Sequence, residues 1–84
     1  MFVIVKVTRS PHIDEYGEFD YDYDSEYFVG LSESGMAWFS YDNRKEFNDK
    51  EEAEVVIELL KQIYDNSKRL YSHVYFSIEE VRAA

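Results

Sequence analysis

The residues best equipped for chemistry lie between His12 and Phe28, in HIDEYGEFDYDYDSEYF. The stretch holds seven acids (Asp14, Glu15, Glu18, Asp20, Asp22, Asp24 and Glu26), six aromatics and no Lys or Arg. Cation ligation is one use for such carboxylates, and Asp20-x-Asp22-x-Asp24 imitates the opening of an EF-hand loop. The remainder departs from that pattern. Ser25 stands where the turn needs Gly, and Leu31 where the bidentate Glu belongs, so no metal site is assigned. Catalysis is a second use, and it lacks material. The two His have no fixed pairing, Cys is absent, and no P-loop, GxGxxG, HExxH or GxSxG pattern occurs. His12, near Asp14 and Glu15, is read as a surface residue, and His73 as a hydrogen-bonded sheet or surface residue. No catalytic residue and no cofactor follow, and the chain is expected not to be an enzyme.

Presentation of charge is the third use. Phe19, Tyr21 and Tyr23 alternate strictly with Asp20, Asp22 and Asp24. An extended chain would put three rings on one side and three carboxylates on the other. Carboxylates two residues apart stand ~6.6–6.8 Å apart, and in water each neighbouring pair repels by only ~0.6 kcal/mol before salt screening. A surface tolerates such a row. It offers regularly spaced negative charge beside aromatic rings, as a nucleic-acid strand offers phosphates beside bases. A groove lined with Lys and Arg could accept it. The candidate partner-binding set is therefore Asp14, Glu15, Glu18, Asp20, Tyr21, Asp22, Tyr23, Asp24 and Glu26. The competing reading is a solvated acidic loop without a partner. Six rings weigh against it, since they need a sheet or a partner to pack on.

These residues need elements to position them. Phe2 to Thr8 alternates and is rich in Val and Ile, which predicts a strand ended by Ser10-Pro11. Tyr27 to Ser32 predicts a second, and Met36 to Tyr41, after the Ser34-Gly35 turn, a returning third. Asn48 or Asp49 caps a helix whose apolar stripe is Ala53, Val56, Ile57, Leu60, Ile63 and Tyr64. Asp65-Asn66-Ser67 ends it, and Leu70 to Ile78 alternates as a last strand. Trp38 is read as core rather than as a binding anchor. The expected fold class is α+β, a mostly antiparallel sheet in the order β-β-β-α-β with an additional strand within residues 18–24 as a variant, and one amphipathic helix packed on one face.

Eighty-four residues make a single domain, 1–84. With no Cys, there is no disulfide or zinc finger to supplement the core, and fifteen aromatics supply burial instead. The net charge of −9 is segregated. Residues 1–9 carry +2, residues 10–43 carry −9, and residues 44–84 carry −2. An acidity gathered in one segment suggests a binding face. Direct nucleic-acid binding is disfavoured because phosphates would be repelled, and an anionic membrane is disfavoured likewise. No run approaches the ~18 apolar residues of a membrane span, and MFVIVKVTRS is too short and too alternating for a signal peptide. The expectation is an intracellular, soluble, cytoplasmic protein.

The whole chain resembles the small acidic proteins that phages encode to disable host machinery, including anti-CRISPR proteins and other DNA-mimic inhibitors. The resemblance rests on size, segregated acidity, sheet-plus-helix order and the lack of catalytic groups. The run WFSYDNRKEFNDKEEAEVVIELL also resembles small phage proteins of unassigned role. The resemblance implies an inhibitor that binds the nucleic-acid site of a basic protein or complex through Asp and Glu, in the host cytoplasm. Asp14 to Glu26 would be that surface. The alternative is a small structural or assembly module, a homodimer joined through a sheet edge, whose acids serve solubility.

Overall fold

A computed structural model describes residues 1–65 and 73–82. Its elements are β1 (Phe2–Ile13), β2 (Phe19–Leu31), β3 (Ala37–Ser40), α1 (Lys50–Asp65) and β4 (His73–Glu80). The strands form one antiparallel sheet in the order β3-β2-β1-β4, and α1 packs on one of its faces, so the fold is α+β.

Register assigns the faces. Ile4 lies opposite Ile78, Lys6 opposite both Glu26 and Phe76, and Phe28 opposite Phe39. These residues share the face beneath the helix. There Ile4 and Phe28 bury against Phe47, Ala53, Ile57 and Leu60, with Phe39, Phe76 and Ile78 packed around them. The 3.6-residue spacing of Ala53, Ile57 and Leu60 therefore meets the two-residue spacing of the strands in one core. Asp49 caps the helix, its carbonyl accepting the Ala53 N–H at 3.4 Å. Glu51 and Glu52 fill the first turn, where the helix dipole favours acids.

Two strands run further than the alternation of apolar residues predicts. β1 continues through Ser10-Pro11 to Ile13, and β2 begins at Phe19, so the acidic tract is part of β2 and not a separate strand. The Phe2 N–H and C=O both face Phe47 on the β2 side, so even-numbered β1 residues bond toward β2 and odd-numbered ones toward β4. Pro11 is odd. Its missing N–H faces the β4 side, where described pairing stops at Arg9, and no ladder bond to β2 is lost. Residues 10–13 and 19–22 thus form a two-stranded arm beyond the helix-covered core. The radius of gyration is 14.7 Å with a long axis of 46 Å. A compact chain of this length would have about 12 Å.

The two hairpin loops are built alike. In 14–18 the Asp14 N–H reaches the Glu18 carbonyl at 2.9 Å and the Gly17 N–H reaches the Asp14 carbonyl at 3.0 Å. In 32–36 the same bonds join Ser32 to Met36 at 2.7 Å and Gly35 to Ser32 at 2.9 Å. Gly17 and Gly35 supply the left-handed residue that such loops require, at φ 79° and 83°.

Three expectations shift. β3 spans four residues and not Met36 to Tyr41. β4 begins at His73 among the described residues, and the predicted Leu70–Ser72 part, like the helix end at Asn66-Ser67, lies outside them. Trp38 is not core. It pairs with Gly30 on the face away from the helix and is 62% exposed, because Phe39 takes the inward place.

Candidate acidic interface

Strand geometry decides where each candidate side chain points. Asp20, Asp22, Asp24 and Glu26 pair with His12, Ser10, Thr8 and Lys6, so they stand on the helix side of the sheet. Phe19, Tyr21, Tyr23 and Tyr27 pair with Ile13, Pro11, Arg9 and Val5 on the opposite side. The separation of rings from carboxylates expected of an extended chain is present.

The acids differ in how free they are. Glu26 is spent in part, for its Oε2 lies 3.7 Å from the Lys6 ammonium. Lys6 also stands over the Phe39 ring at 4.2 Å and the Tyr64 ring at 5.8 Å. This pair closes the helix-covered core, with Ile4 and Phe28 buried below it and Thr8 and Asp24 leading to the arm above. Asp14 is a turn residue. Its Oδ1 accepts the Tyr16 N–H at 2.9 Å and the Glu18 N–H at 2.8 Å. Glu15 and Glu18 are exposed at the arm's tip.

Asp20, Asp22 and Asp24 form the open row. Each is exposed, and none has a Lys or Arg partner among the described residues. Asp20 Oδ1 accepts the N–H of Tyr21 at 2.8 Å. Asp22 Oδ2 lies 3.2 Å from His12 Nδ1, outside hydrogen-bonding geometry. Asp24 Oδ2 accepts the Tyr41 hydroxyl at 2.7 Å. That bond, chiefly, pushes the Tyr41 phenol up from its ordinary value to about 12, with the charges of Asp24 and Glu26 adding to it. Tyr41 was outside the predicted set. Its position at the foot of the tract follows from the β2–β3 register, which a sequence pattern does not give.

The rings have structural work. The Arg9 guanidinium sits 4.6 Å from the Tyr21 ring centroid and 5.7 Å from that of Tyr75, and Tyr21 meets Phe19 edge-on at 5.3 Å. Tyr23, directly opposite Arg9, remains 67% exposed. With the exposed Trp38 and Tyr75 it belongs to the sheet face away from the helix, on which Val3 and Val5 are buried.

The arrangement suits charge presentation better than ion capture. Carboxylates spread along a strand do not converge as an EF-hand loop makes them converge. Among the described residues no three His, Asp or Glu are grouped to hold a metal. No described helix is long and apolar enough to cross a membrane. A shallow groove of about 350 Å³ between α1 and β4 is lined by Ile57, Phe76, Ser77 and Ile78 with Lys50, Glu54, Glu58 and Lys61.

Fold and site together define an α+β protein with one helix among the described residues and a projecting acidic β-arm. Compared with known proteins, the chain matches no family model, no curated protein and no solved structure.

Proposed function

We propose that this protein is a non-catalytic inhibitor that occupies the nucleic-acid site of a basic protein or complex. Such occupancy suits a phage protein acting in the host cytoplasm against a defence or DNA-processing complex, anti-CRISPR activity included. One observation supports the reading above the others. Asp20, Asp22 and Asp24 stand in a regular row on one face of an ordered strand, exposed, and lack any Lys or Arg partner among the described residues. Each would gain a charge-assisted bond from a partner's Lys or Arg, bidentate in the case of Arg. The mechanism is occlusion: the arm fills a groove that phosphates would otherwise fill.

The test changes charge without changing shape. Asp20, Asp22 and Asp24 are replaced together by Asn, and the partner captured on immobilised wild-type chain is titrated against both forms at two salt concentrations. The triple variant should melt like wild type, because exposed ion interactions contribute little to stability. Its affinity should fall roughly 10- to 1000-fold, from several contacts at ~1–2 kcal/mol each. Wild-type affinity should drop as salt rises, mainly through slower association. Equal affinity of the two forms at both salts would falsify mimicry and leave the acids as a solubility feature.

A second reading has its own support. The exposed Tyr23, Trp38 and Tyr75 make the exposed part of the sheet face away from the helix unusually apolar for a solvated one. Two copies could bury it against each other as an assembly module. Light scattering across a hundredfold range of concentration distinguishes a dimer from a monomer.

A further inference from the structure

The outer edge of β2 is open along the acidic tract. β3 pairs with β2 only from Tyr27 to Leu31. It stops because Ser40 Oγ accepts the N–H groups of Asp42 and Asn43, both at 3.2 Å, and turns the chain aside. Residues 19–26 therefore pair with β1 on one side and with no described strand on the other.

The backbone polarity of this edge can be read. Tyr21 lies opposite Pro11, which has no N–H to give, and the Tyr21 N–H bonds the Asp20 side chain and not β1. Tyr21 thus faces outward, and with the two-residue period of a strand so do Phe19, Tyr23 and Ser25. Tyr27, of the same parity, is paired with Ser40 of β3 on that side. The edge presents main-chain donors and acceptors over about 27 Å. Asp20 holds one of the donors by a local bond of the kind that competes with strand pairing.

We propose that this edge takes an added strand from the partner, an extended segment alternating Lys or Arg with apolar or aromatic residues. The inference rests on the inhibitory reading above and gives its partner a sequence pattern. Residues of the added strand on the helix side would stand beside Asp20, Asp22 and Asp24, where a cation is favourable and a carboxylate is not. The alternate residues would stand beside Phe19, Tyr21 and Tyr23, where ring and aliphatic surface pack. Main-chain bonds would supply affinity and the alternation specificity. A second copy is the wrong occupant for this edge, since pairing it with itself sets acid rows side by side.

Two synthetic peptides test this, Lys-Val-Lys-Tyr-Lys-Val-Lys-Tyr and its blocked isomer Lys-Lys-Lys-Lys-Val-Val-Tyr-Tyr, equal in charge and composition. The alternating peptide should bind the wild-type chain at least about tenfold more tightly, the worth of one to a few added hydrogen bonds. On binding, the Tyr21, Tyr23 and Ser25 amides should gain protection from hydrogen exchange, while those of Asp22 and Asp24, facing β1, change little. Ser25→Pro removes one outward donor and leaves every acid and ring in place, so it should erase the preference, whereas Ser25→Thr should keep it. Because the exchange measurement uses the wild-type chain, the result does not depend on the Pro variant folding. Equal, salt-sensitive binding of both peptides overturns strand addition and leaves the electrostatic reading intact. Binding of neither, or binding without a rise in protection at Tyr23 and Ser25, also overturns it. Unchanged binding of the alternating peptide by the triple Asn variant overturns the inhibitory reading itself. Edge-to-edge dimers of the wild-type chain would show that the occupant is a second copy.

Discussion

Leu60 and Leu59 are adjacent on α1 and should respond very unequally to the same change. Leu60 is fully buried, in the cluster with Ile4, Phe28 and Phe47, whereas Leu59 is 46% exposed. Leu60→Ala removes three carbons from the core, a transfer loss of about 2.4 kcal/mol at ~0.8 kcal/mol per carbon. The cavity adds to this, because a packed core relaxes only partly, and the total should lie at ~3–4 kcal/mol within the usual range of ~2–5. A domain of this size has ~4–13 kcal/mol in all. The melting temperature should therefore fall by ~12–30 °C. Leu59→Ala should cost under ~1 kcal/mol, since little burial is lost and Ala is the better helix former. Urea titration of both variants and the wild type, with a common slope, gives the two differences directly. Equal effects at the two positions, or a Leu60→Ala cost below ~1 kcal/mol, would refute the packing of α1 on the sheet.

Tyr41 should titrate near pH 12, above its ordinary 10, when phenolate absorbance of the wild type is compared with Tyr41→Phe. The bond to Asp24 requires the protonated phenol, so its stabilisation is intact below about pH 10 and disappears as pH rises through about 12. Wild type should lose stability relative to Tyr41→Phe across that window. Millimolar calcium should raise the melting temperature no more than sodium at matched ionic strength, because the row of Asp20, Asp22 and Asp24 does not wrap around an ion. A calcium-specific rise of many degrees would show that the arm closes on the metal.

The helix was legible because its signal is local. Ala53, Ile57 and Leu60 recur at helical spacing, and the structure buries all three. The β-β-β-α-β order follows from similarly local alternations. What was hidden depends on register. Trp38 and Phe39 are both large and apolar, and only the pairing of Phe39 with Phe28 shows which one faces the helix. Glu26 has no basic neighbour in sequence and acquires one across the sheet in Lys6. Pro11 reads as a strand breaker until the direction of its nitrogen is known. Asp14 could have been recognised, since Asp14…Gly17 and Ser32…Gly35 share a spacing and a polar first residue, and both fold into the same loop.

The position of the Lys6–Glu26 pair separates what folds this chain from what it displays. On one side of the pair the sheet has α1 over it, and side chains such as Ile4 and Phe28 are held by the core. On the other side no described helix lies over the sheet, β4 accompanies β1 only as far as Arg9, and residues 10–13 with 19–22 go on as two strands alone, a lone hairpin of the kind that is marginal in water. Its order must come from side-chain contacts within the hairpin and at its junction with β4. The rings supply them: Arg9 is held between Tyr21 and Tyr75, and Phe19 packs edge-on against Tyr21. The carboxylates of Asp20, Asp22 and Asp24 add one bond to the adjacent amide, one to a tyrosine hydroxyl and one close approach to a histidine. A strict two-residue alternation is what lets these roles coexist. Tyr21, the ring that stacks on Arg9 and on Phe19, sits between Asp20 and Asp22, which face the other way, so charge is displayed by the residues that contribute least to holding the strand in place.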